Sequence, residues 1–294
     1  MFESTHNKKF FCKYVTAEVA IKILSELKVK WSSSLLFNDP FDTQQDFNPD
    51  DEDILKILFE KHKSLIYQEK EPDYTKMDYL YATKLKLLRS NRKKLKPEEL
   101  LEAMRKDKDK TILNFRNWLG KLNKSWQNCC ADDRIFCVVE DYDNLLMWAH
   151  YADCHKGAVI KLRCIPELDT PLCAATPIIY SDRMPVLAII EDTFYDIPAD
   201  QLELVQKLFY VKSNDWSYEK EWRVVLKKTS DNRQNYDMND IHKEEIEAIY
   251  LGFKMSDRDK DNILEIVNTK MQHVTVFQAC KNRKYFKLDF IQIK

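Results

Sequence analysis

The chain has 294 residues, of which 44% are hydrophobic and 32% charged, and its formal net charge is −1. These values are typical of one or two globular domains, and no apolar run reaches the roughly twenty residues that a membrane-spanning helix requires. Because its glycines are only Gly120, Gly157 and Gly252, the sequence excludes a G-x-G-x-x-G dinucleotide loop, a Walker A loop and a G-x-S-x-G nucleophile elbow.

The amino-terminal residues carry no apolar segment of the kind that a signal peptide contains. Eight cysteines are scattered along the chain without the paired spacing of a metal site or a disulfide framework. We therefore expect a protein of the reducing cytoplasm with no membrane partner.

The first elements predict a strand, a helix and a second strand. Residues 10–14 are short and aromatic, Thr16 can cap a helix, and residues 28–32 alternate between apolar and polar side chains. The Asn38-Asp39-Pro40 sequence that follows predicts a turn, since the residue before a proline is disfavoured in the helical region.

Residues 53–124 have helical spacing of their apolar positions, and we interpret them as an inserted helical subdomain within a core formed by residues 1–52 and 125–294. The segment bounded by Lys84 and Lys124 holds fourteen Lys and Arg against five Asp and Glu. This basic segment is a candidate contact for nucleic acid or for a protein acceptor, although a solvated helical face is the more common outcome.

The carboxy-terminal part returns to strands, separated by helices. The whole pattern predicts an α+β fold with mixed or antiparallel central sheets around a cleft. The strands are expected at residues 135–139, 158–162, 178–180, 222–226, 248–251 and 273–277, and the helices at about 198–210 and 257–269.

Residues 147–157 crowd a tryptophan, two histidines, a tyrosine, a thiol and a lysine into one short run that ends at Gly157. Glycine there indicates a left-handed turn or a close backbone approach. His150 and Cys154 are four residues apart, as two metal ligands on one helical face would be, but further zinc ligands are not evident. A nucleophilic Cys154–His155 pair is less favoured, because sequence neighbours seldom reach the required geometry.

Residues 216–225 form the second informative run. If they are extended, Glu219, Glu221 and Arg223 share one face. In a cleft, repulsion between the two carboxylates would raise one pKa while the arginine lowers it. The alternative is an exposed ladder of salt bridges, which is common and contributes little.

Several motifs in chain order resemble a bacterial and phage family of unknown function. They are Lys13-Tyr14, Asn38-Asp39-Pro40-Phe41-Asp42, Met147-Trp148-x-His150-Tyr151-Ala152-x-x-His155-x-Gly157, Trp216-x-x-Glu219-x-Glu221-x-Arg223 and a late Gly252. Members of that family usually carry a serine shortly after the cysteine that corresponds to Cys137, where this chain has Val138 and Val139.

The strand–helix–strand opening is also similar to the first unit of ADP-ribosyltransferases, which bind NAD without a glycine-rich loop. This resemblance implies that Glu219-x-Glu221 is the E-x-E motif of those enzymes. Lys13-Tyr14 would stand where their first strand carries a histidine or arginine, and Ser32 or Tyr151 would supply the residue of the middle strand.

The same resemblance implies roles for these residues. Glu221 would stabilise the oxocarbenium-like transition state as nicotinamide leaves, and Glu219 would orient the nucleophile. Tyr14 or Tyr151 would stack on the nicotinamide. The remaining NAD-binding candidates are Lys13, Arg223 and His150, for the pyrophosphate, and His155.

We therefore expect an NAD-consuming, ADP-ribosyltransferase-like enzyme, such as a defence effector or toxin, whose acceptor is a protein, a nucleic acid or water. One alternative is a non-catalytic nucleic-acid-binding or regulatory module. Another is a metal-dependent nuclease that uses Asp39, Asp42, His150 and Glu221.

Overall fold

A computed structural model of the chain describes residues 5–43, 49–182, 208–229 and 234–294. The strands are β1 (Phe10–Val15), β2 (Lys28–Ser32), β3 (Asp133–Val139), β4 (Ala158–Arg163), β5 (Thr176–Pro177), β6 (Ile179–Ser181), β7 (Val211–Ser213), β8 (Glu221–Lys227), β9 (Tyr236–Asp240), β10 (Ile246–Leu251), β11 (Thr275–Lys281) and β12 (Leu288–Gln292). The α-helices are α1 (Ala17–Glu26), α2 (Asp51–Tyr67), α3 (Tyr79–Ser90), α4 (Pro97–Lys106), α5 (Lys108–Asp132), α6 (Leu145–Tyr151) and α7 (Asp257–Lys270).

The chain divides into two compact units. The first comprises Met1–Asn38, Asp132–Tyr180 and Lys212–Lys294, and the second comprises Asp39–Ala131 and Ser181–Val211. The division into a core of residues 1–52 and 125–294 and an inserted subdomain of residues 53–124, which rests on apolar spacing, stays a prediction.

The first unit is built on a large sheet. Its strand order in the described residues is β12-β11-β10-β4-β1-β3-β2-β9, and β8 pairs with both β3 and β5. The pairing of β10 with β11 is parallel, whereas β4 pairs with β1 and β10 in the antiparallel sense. This mixed sheet with helices confirms the predicted α+β class.

Side chains of the sheet alternate between two apolar layers. Along β1, Phe11 and Val15 belong to one layer, and Cys12 and Tyr14 belong to the other. Helices α1 and α7 cover the first layer, and Trp148 of α6 packs into the second. We call the Cys12 and Tyr14 side of the sheet the α6 face.

The second unit contains α2, α3, α4 and most of α5. Ile66, Leu85 and Leu100 form an apolar cluster that joins α2, α3 and α4. A buried arginine, Arg89, donates hydrogen bonds to carbonyl oxygens around the end of α2, among them those of Leu65 and Gln68. The helical character expected for this segment is therefore confirmed, and α3 and α4 are separate helices flanking the Pro97 boundary.

The two opening strands and α1 lie where the sequence predicts them. Leu27 ends α1 as its C-cap, in the left-handed region with φ of 54°. β7, β9 and β12 lie where no strand was predicted. The helix expected at residues 198–210 lies largely outside the described residues, and Leu208–Tyr210 forms a 3₁₀ turn. No helix among the described residues has the length and apolarity needed to cross a membrane.

Candidate functional site

The register of β3 with β8 places the acidic motif on the α6 face. Val139 lies opposite Glu221, and Cys137 lies opposite Arg223. Residues that are directly opposite on antiparallel strands project to the same side. Since Val139 packs in the same layer as Tyr14, Glu221 and Arg223 also project to the α6 face.

Four buried charged side chains form one hydrogen-bonded group, which we call the carboxylate cluster: Lys212, Glu219, Glu221 and Arg223. The Nζ atom of Lys212 donates to Oε2 of Glu219 at 2.6 Å and to Oε2 of Glu221 at 3.0 Å. The Nε and Nη2 atoms of Arg223 donate to the two oxygens of Glu221 at 2.7 and 3.0 Å. This two-point contact fixes the orientation of the Glu221 carboxylate.

The backbone before β8 brings the two glutamates together. Asn214–Glu219 is a 3₁₀ helix capped by the Ser213 side chain, and Lys220 follows in the left-handed region with φ of 47°. The strand predicted at residues 222–226 begins at Glu221, and the residues before it are not extended, so the condition under which Glu219 shares a strand face with Glu221 is not met. The turn allows both carboxylates to reach the same ammonium group of Lys212.

Burial and charge act in opposite directions on the two carboxylates. Burial raises the pKa of Glu219, and the neighbouring Glu221 adds to that rise against the effect of Lys212. Burial alone would also raise the pKa of Glu221, but Arg223 and Lys212 together hold it well below its usual range. Because both groups are 4% exposed, the alternative of an exposed salt ladder is wrong.

Two tyrosines hold the cluster from its sides. The Tyr151 hydroxyl donates to Oε1 of Glu219 at 2.7 Å, which ties the end of α6 to the cluster. The Tyr180 hydroxyl accepts a hydrogen bond from the backbone N–H of Glu221 at 2.8 Å. Burial raises the pKa of Tyr180 to about 12, so it is a neutral hydroxyl at physiological pH.

An accessible aromatic edge adjoins the carboxylate cluster. The ring of Trp216 lies 4.9 Å from the Lys212 ammonium and 6.4 Å from the ring of His150. His150 is exposed, whereas Trp216 and Tyr151 are half-buried. These rings place flat and polar surfaces beside the buried carboxylates, where a ligand with an aromatic ring could stack.

Two residues expected at the site take other positions. The Lys13 ammonium donates to the carbonyl oxygen of Cys137 and lies over the ring of Phe136, which belongs to the layer opposite the α6 face. Tyr14 is buried against Trp148, and its hydroxyl donates to the Asp141 carbonyl. The tyrosine therefore packs in the core, and no ring face is exposed for stacking.

Ser32 and His155 are two further candidates in the same unit. Ser32 pairs with Ile135, which shares its side of β3 with Cys137, so the serine projects to the α6 face. His155 stacks against Trp148 with ring centroids 6.1 Å apart and lies 5.0 Å from the ring of Phe253. It lines a separate groove rather than the carboxylate cluster.

The residues between the end of α6 and Gly157 form an irregular turn. Helix α6 ends at Tyr151, and Asp153, Cys154 and His155 all have positive φ, so His150 and Cys154 do not share one helical face as two metal ligands would. Gly157 itself does not have positive φ. A Cβ atom there would lie 2.1 Å from the Val15 carbonyl oxygen, so close approach is what requires glycine.

Metal-ligating side chains do not converge in the part of the chain that the structure describes. No group of three or more His, Cys, Asp or Glu residues there could hold a metal ion. Asp39 accepts a hydrogen bond from Phe41 N–H in the turn that the sequence predicts, and it belongs with Asp42 to the second unit. The ligand set proposed for a nuclease has no geometric support from these residues.

Lys212 of the carboxylate cluster and Tyr180 beside it were not among the candidate residues of the sequence. Neither lies in a motif that we used, and both come from segments far from Glu221 or outside its strand. Buried carboxylates are normally paired with a cation, so two buried glutamates would predict a cationic side chain beside them. The sequence does not show which of its many lysines provides that side chain.

One protein family matches the part of the chain that carries two of the motifs. Residues 147–224 match a protein family described as a protein of unknown function, DUF2971. This part of the chain resembles DUF2971. The matched range contains Tyr151, Lys212 and all the other members of the carboxylate cluster. No curated protein and no solved structure matches the chain, so the likeness to ADP-ribosyltransferases stays a prediction.

Proposed function

We propose that the chain is an NAD-consuming enzyme of the ADP-ribosyltransferase type, which breaks the bond between nicotinamide and ribose. The observation that carries this proposal is the contrast within the carboxylate cluster. Glu221 is held ionised in a buried position, while Glu219, bound to the same lysine, has a raised pKa. When two neighbouring carboxylates have different pKa values, the one with the lower pKa can stabilise positive charge while the other transfers a proton.

In this proposal Glu221 stabilises the positive charge that develops on the ribose ring. Its carboxylate is fixed by Arg223 before the reaction, so little reorganisation is required when the charge appears. The C–N bond breaks, and its electron pair leaves with nicotinamide. The acceptor oxygen, from water or from a hydroxyl of a macromolecule, then bonds to the ribose carbon.

Glu219 takes the proton from that acceptor. The Tyr151 hydroxyl and Lys212 hold its two oxygens, and the raised pKa makes it a stronger base than an ordinary glutamate once it is ionised. His150 and Trp216 at the aromatic edge are the candidates for contacting the nicotinamide or the pyrophosphate. Arg223 is fully buried and engaged with Glu221, so we no longer assign it to the pyrophosphate.

The test is release of free nicotinamide from NAD by the purified full chain, measured by chromatography with and without added RNA, DNA or protein. Glu219→Gln keeps the shape of the side chain and leaves Lys212 paired with Glu221. We expect it to lower turnover by roughly 100-fold or more, and a melting curve checks that the variant stays folded at the assay temperature. Glu244→Gln, at an exposed position, is the matched control and retains full turnover.

The same assay separates the alternatives. A well-folded chain that releases no nicotinamide under any of these conditions contradicts the enzymatic proposal. If that chain binds nucleic acid and charge reversal in residues 84–124 removes the binding, the non-catalytic alternative is supported. Full turnover by Glu219→Gln would show that the cluster is structural and that the chemistry occurs elsewhere.

A further inference from the structure

The turn between β11 and β12 exposes two aromatic side chains among cations. We call residues 281–288 the basic hairpin: Lys281, Asn282, Arg283, Lys284, Tyr285, Phe286, Lys287 and Leu288. Phe286 is fully exposed, and Tyr285 is 69% exposed. Exposed aromatic rings side by side are unfavourable in water and indicate a binding surface.

The basic hairpin is held in one conformation. The side-chain oxygen of Asn282 accepts hydrogen bonds from the backbone N–H groups of Lys284 and Tyr285, both at 2.8 Å. The Asn282 backbone N–H donates to the Lys287 carbonyl at 3.1 Å. Because the turn is already ordered, its rings can bind a partner without a large loss of conformational entropy.

A groove lies between the basic hairpin and Leu145, the first residue of α6. It has a volume of about 480 Å³, and its walls include His155 and Phe253. The Nδ1 atom of His155 is buried and has no hydrogen-bond partner among the described residues. The ammonium groups of Lys254 and Lys281 lie 5.4 and 5.0 Å from the Phe253 ring. Flat rings, a polar ring nitrogen and cations thus surround a space of the size that small organic groups occupy.

We infer that the basic hairpin and its groove bind single-stranded nucleic acid. The hairpin contributes four cations and no acidic side chain, and the acid that follows it, Asp289, contacts Asn282 and Lys287. Cations along a strand with aromatic rings between them match the alternation of phosphates and bases in an unpaired strand. This inference does not depend on the proposed function, since it concerns a different surface.

The groove favours a nucleic acid over an anionic membrane. A flat lipid surface would contact the tip rings Tyr285 and Phe286 but would not occupy a recess walled by His155 and Phe253. Cations spread over the hairpin also favour a chain of phosphates over a single mononucleotide. Positive neighbours and burial lower the pKa of His155, burial being the larger cause, so its ring is a neutral hydrogen-bonding group at physiological pH.

The experiment is fluorescence anisotropy of the full chain with labelled twelve-nucleotide oligo(dT) and oligo(U) over a range of salt concentrations. We expect a logarithmic salt slope of about −3 if four phosphates are neutralised. The double variant Tyr285→Ala/Phe286→Ala should weaken binding at least about tenfold. Lys284→Ala should reduce the slope by about 0.7.

Matched controls are available in the second unit. Tyr79→Ala removes another highly exposed ring, and Lys106→Ala removes an exposed lysine from the basic segment 84–124. Neither should change affinity. Unchanged binding by the hairpin variants overturns the inference, as does a mononucleotide that competes as well as the oligomer. Binding to vesicles containing phosphatidylserine but not to oligonucleotides would assign the surface to lipid and equally overturn it.

Discussion

Glu219 and Glu221 show how far the environment separates two identical side chains that are two residues apart. Both are buried, which by itself raises the pKa of each carboxyl group. Glu221 receives two hydrogen bonds from Arg223 in addition to its contact with Lys212. Glu219 shares only the lysine and a neutral tyrosine hydroxyl in the described contacts. Arg223 is therefore the main reason why the pKa of Glu221 lies below that of Glu219.

This difference predicts the pH dependence of nicotinamide release. Glu219 must lose its proton to act as a base, and its pKa lies above the ordinary value of 4.5. Turnover should therefore rise with pH through a midpoint above 4.5, and Glu219→Gln should have a low rate without this rise. Steady-state rates between pH 4 and 8 check the prediction, and an unshifted midpoint in the variant would contradict it.

Gly157 and Gly120 predict opposite effects of the same substitution. A Cβ at Gly157 would collide with the Val15 carbonyl, whereas nothing lies within 4 Å of a Cβ at Gly120 in α5. Gly157→Ala should lower the free energy of unfolding by about 3 kcal/mol. Gly120→Ala should raise it by roughly 1 kcal/mol, because alanine favours a helix. Urea unfolding of both variants measures these changes, and equal effects would argue against the close backbone approach.

At the scale of elements, the structure shows how the helices end, which the pattern of apolar residues does not predict. The apolar spacing predicts α1 and the helices of the second unit, but it does not show how their last carbonyl groups are satisfied. Three consecutive left-handed residues follow the cap residue Ala152 of α6, and α2 ends against the guanidinium of Arg89. Both ends use side chains or backbone from particular positions, which helical periodicity does not encode.

Arg89 is expected to stabilise the second unit. Its guanidinium donates to the carbonyl oxygens of Leu65, Ile66, Gln68 and Lys70. Arg89→Ala leaves those acceptors, of which the Ile66 carbonyl is buried, without their donor, so the free energy of unfolding should fall by about 2 to 4 kcal/mol.

Hydrogen exchange should localise the lost protection to α2 and α3 in that variant. Lys93→Ala removes an exposed cation from the segment after α3 and is the control. A loss of protection of equal size in both variants would contradict the specific role of the guanidinium.

At the scale of the whole molecule, the carboxylate cluster couples stability to pH. The pKa of Glu221 is lower in the folded chain than its ordinary value of 4.5. Its contribution to stability is therefore fully present above about pH 4.5 and is lost as the pH falls below that value. Glu221→Gln leaves the buried charge of Arg223 poorly compensated and should cost about 3 to 5 kcal/mol at pH 7.

The expected signature is a stability difference that narrows on acidification. Urea unfolding of the natural chain and of Glu221→Gln at pH 7, 4 and 3 provides the measurement. A difference that stays constant would show that the pKa of Glu221 is the same in the folded and the unfolded chain. The same cost explains why Glu219→Gln, and not Glu221→Gln, is the appropriate variant for testing catalysis.

The sequence by itself determined the α+β class, the first strands and helix, and the helical character of the second unit, because period-two and period-3.6 patterns of apolar residues are local. It also marked Glu219, Glu221, Arg223 and Tyr151 as informative by their types and spacing. Only the tertiary structure decided that Tyr14 packs in the core, that Lys13 projects to the other face, and that Lys212 joins the two carboxylates. These contacts depend on strand register and on a left-handed turn, which bring together segments that are distant in the sequence. A local pattern of apolar residues does not encode such contacts.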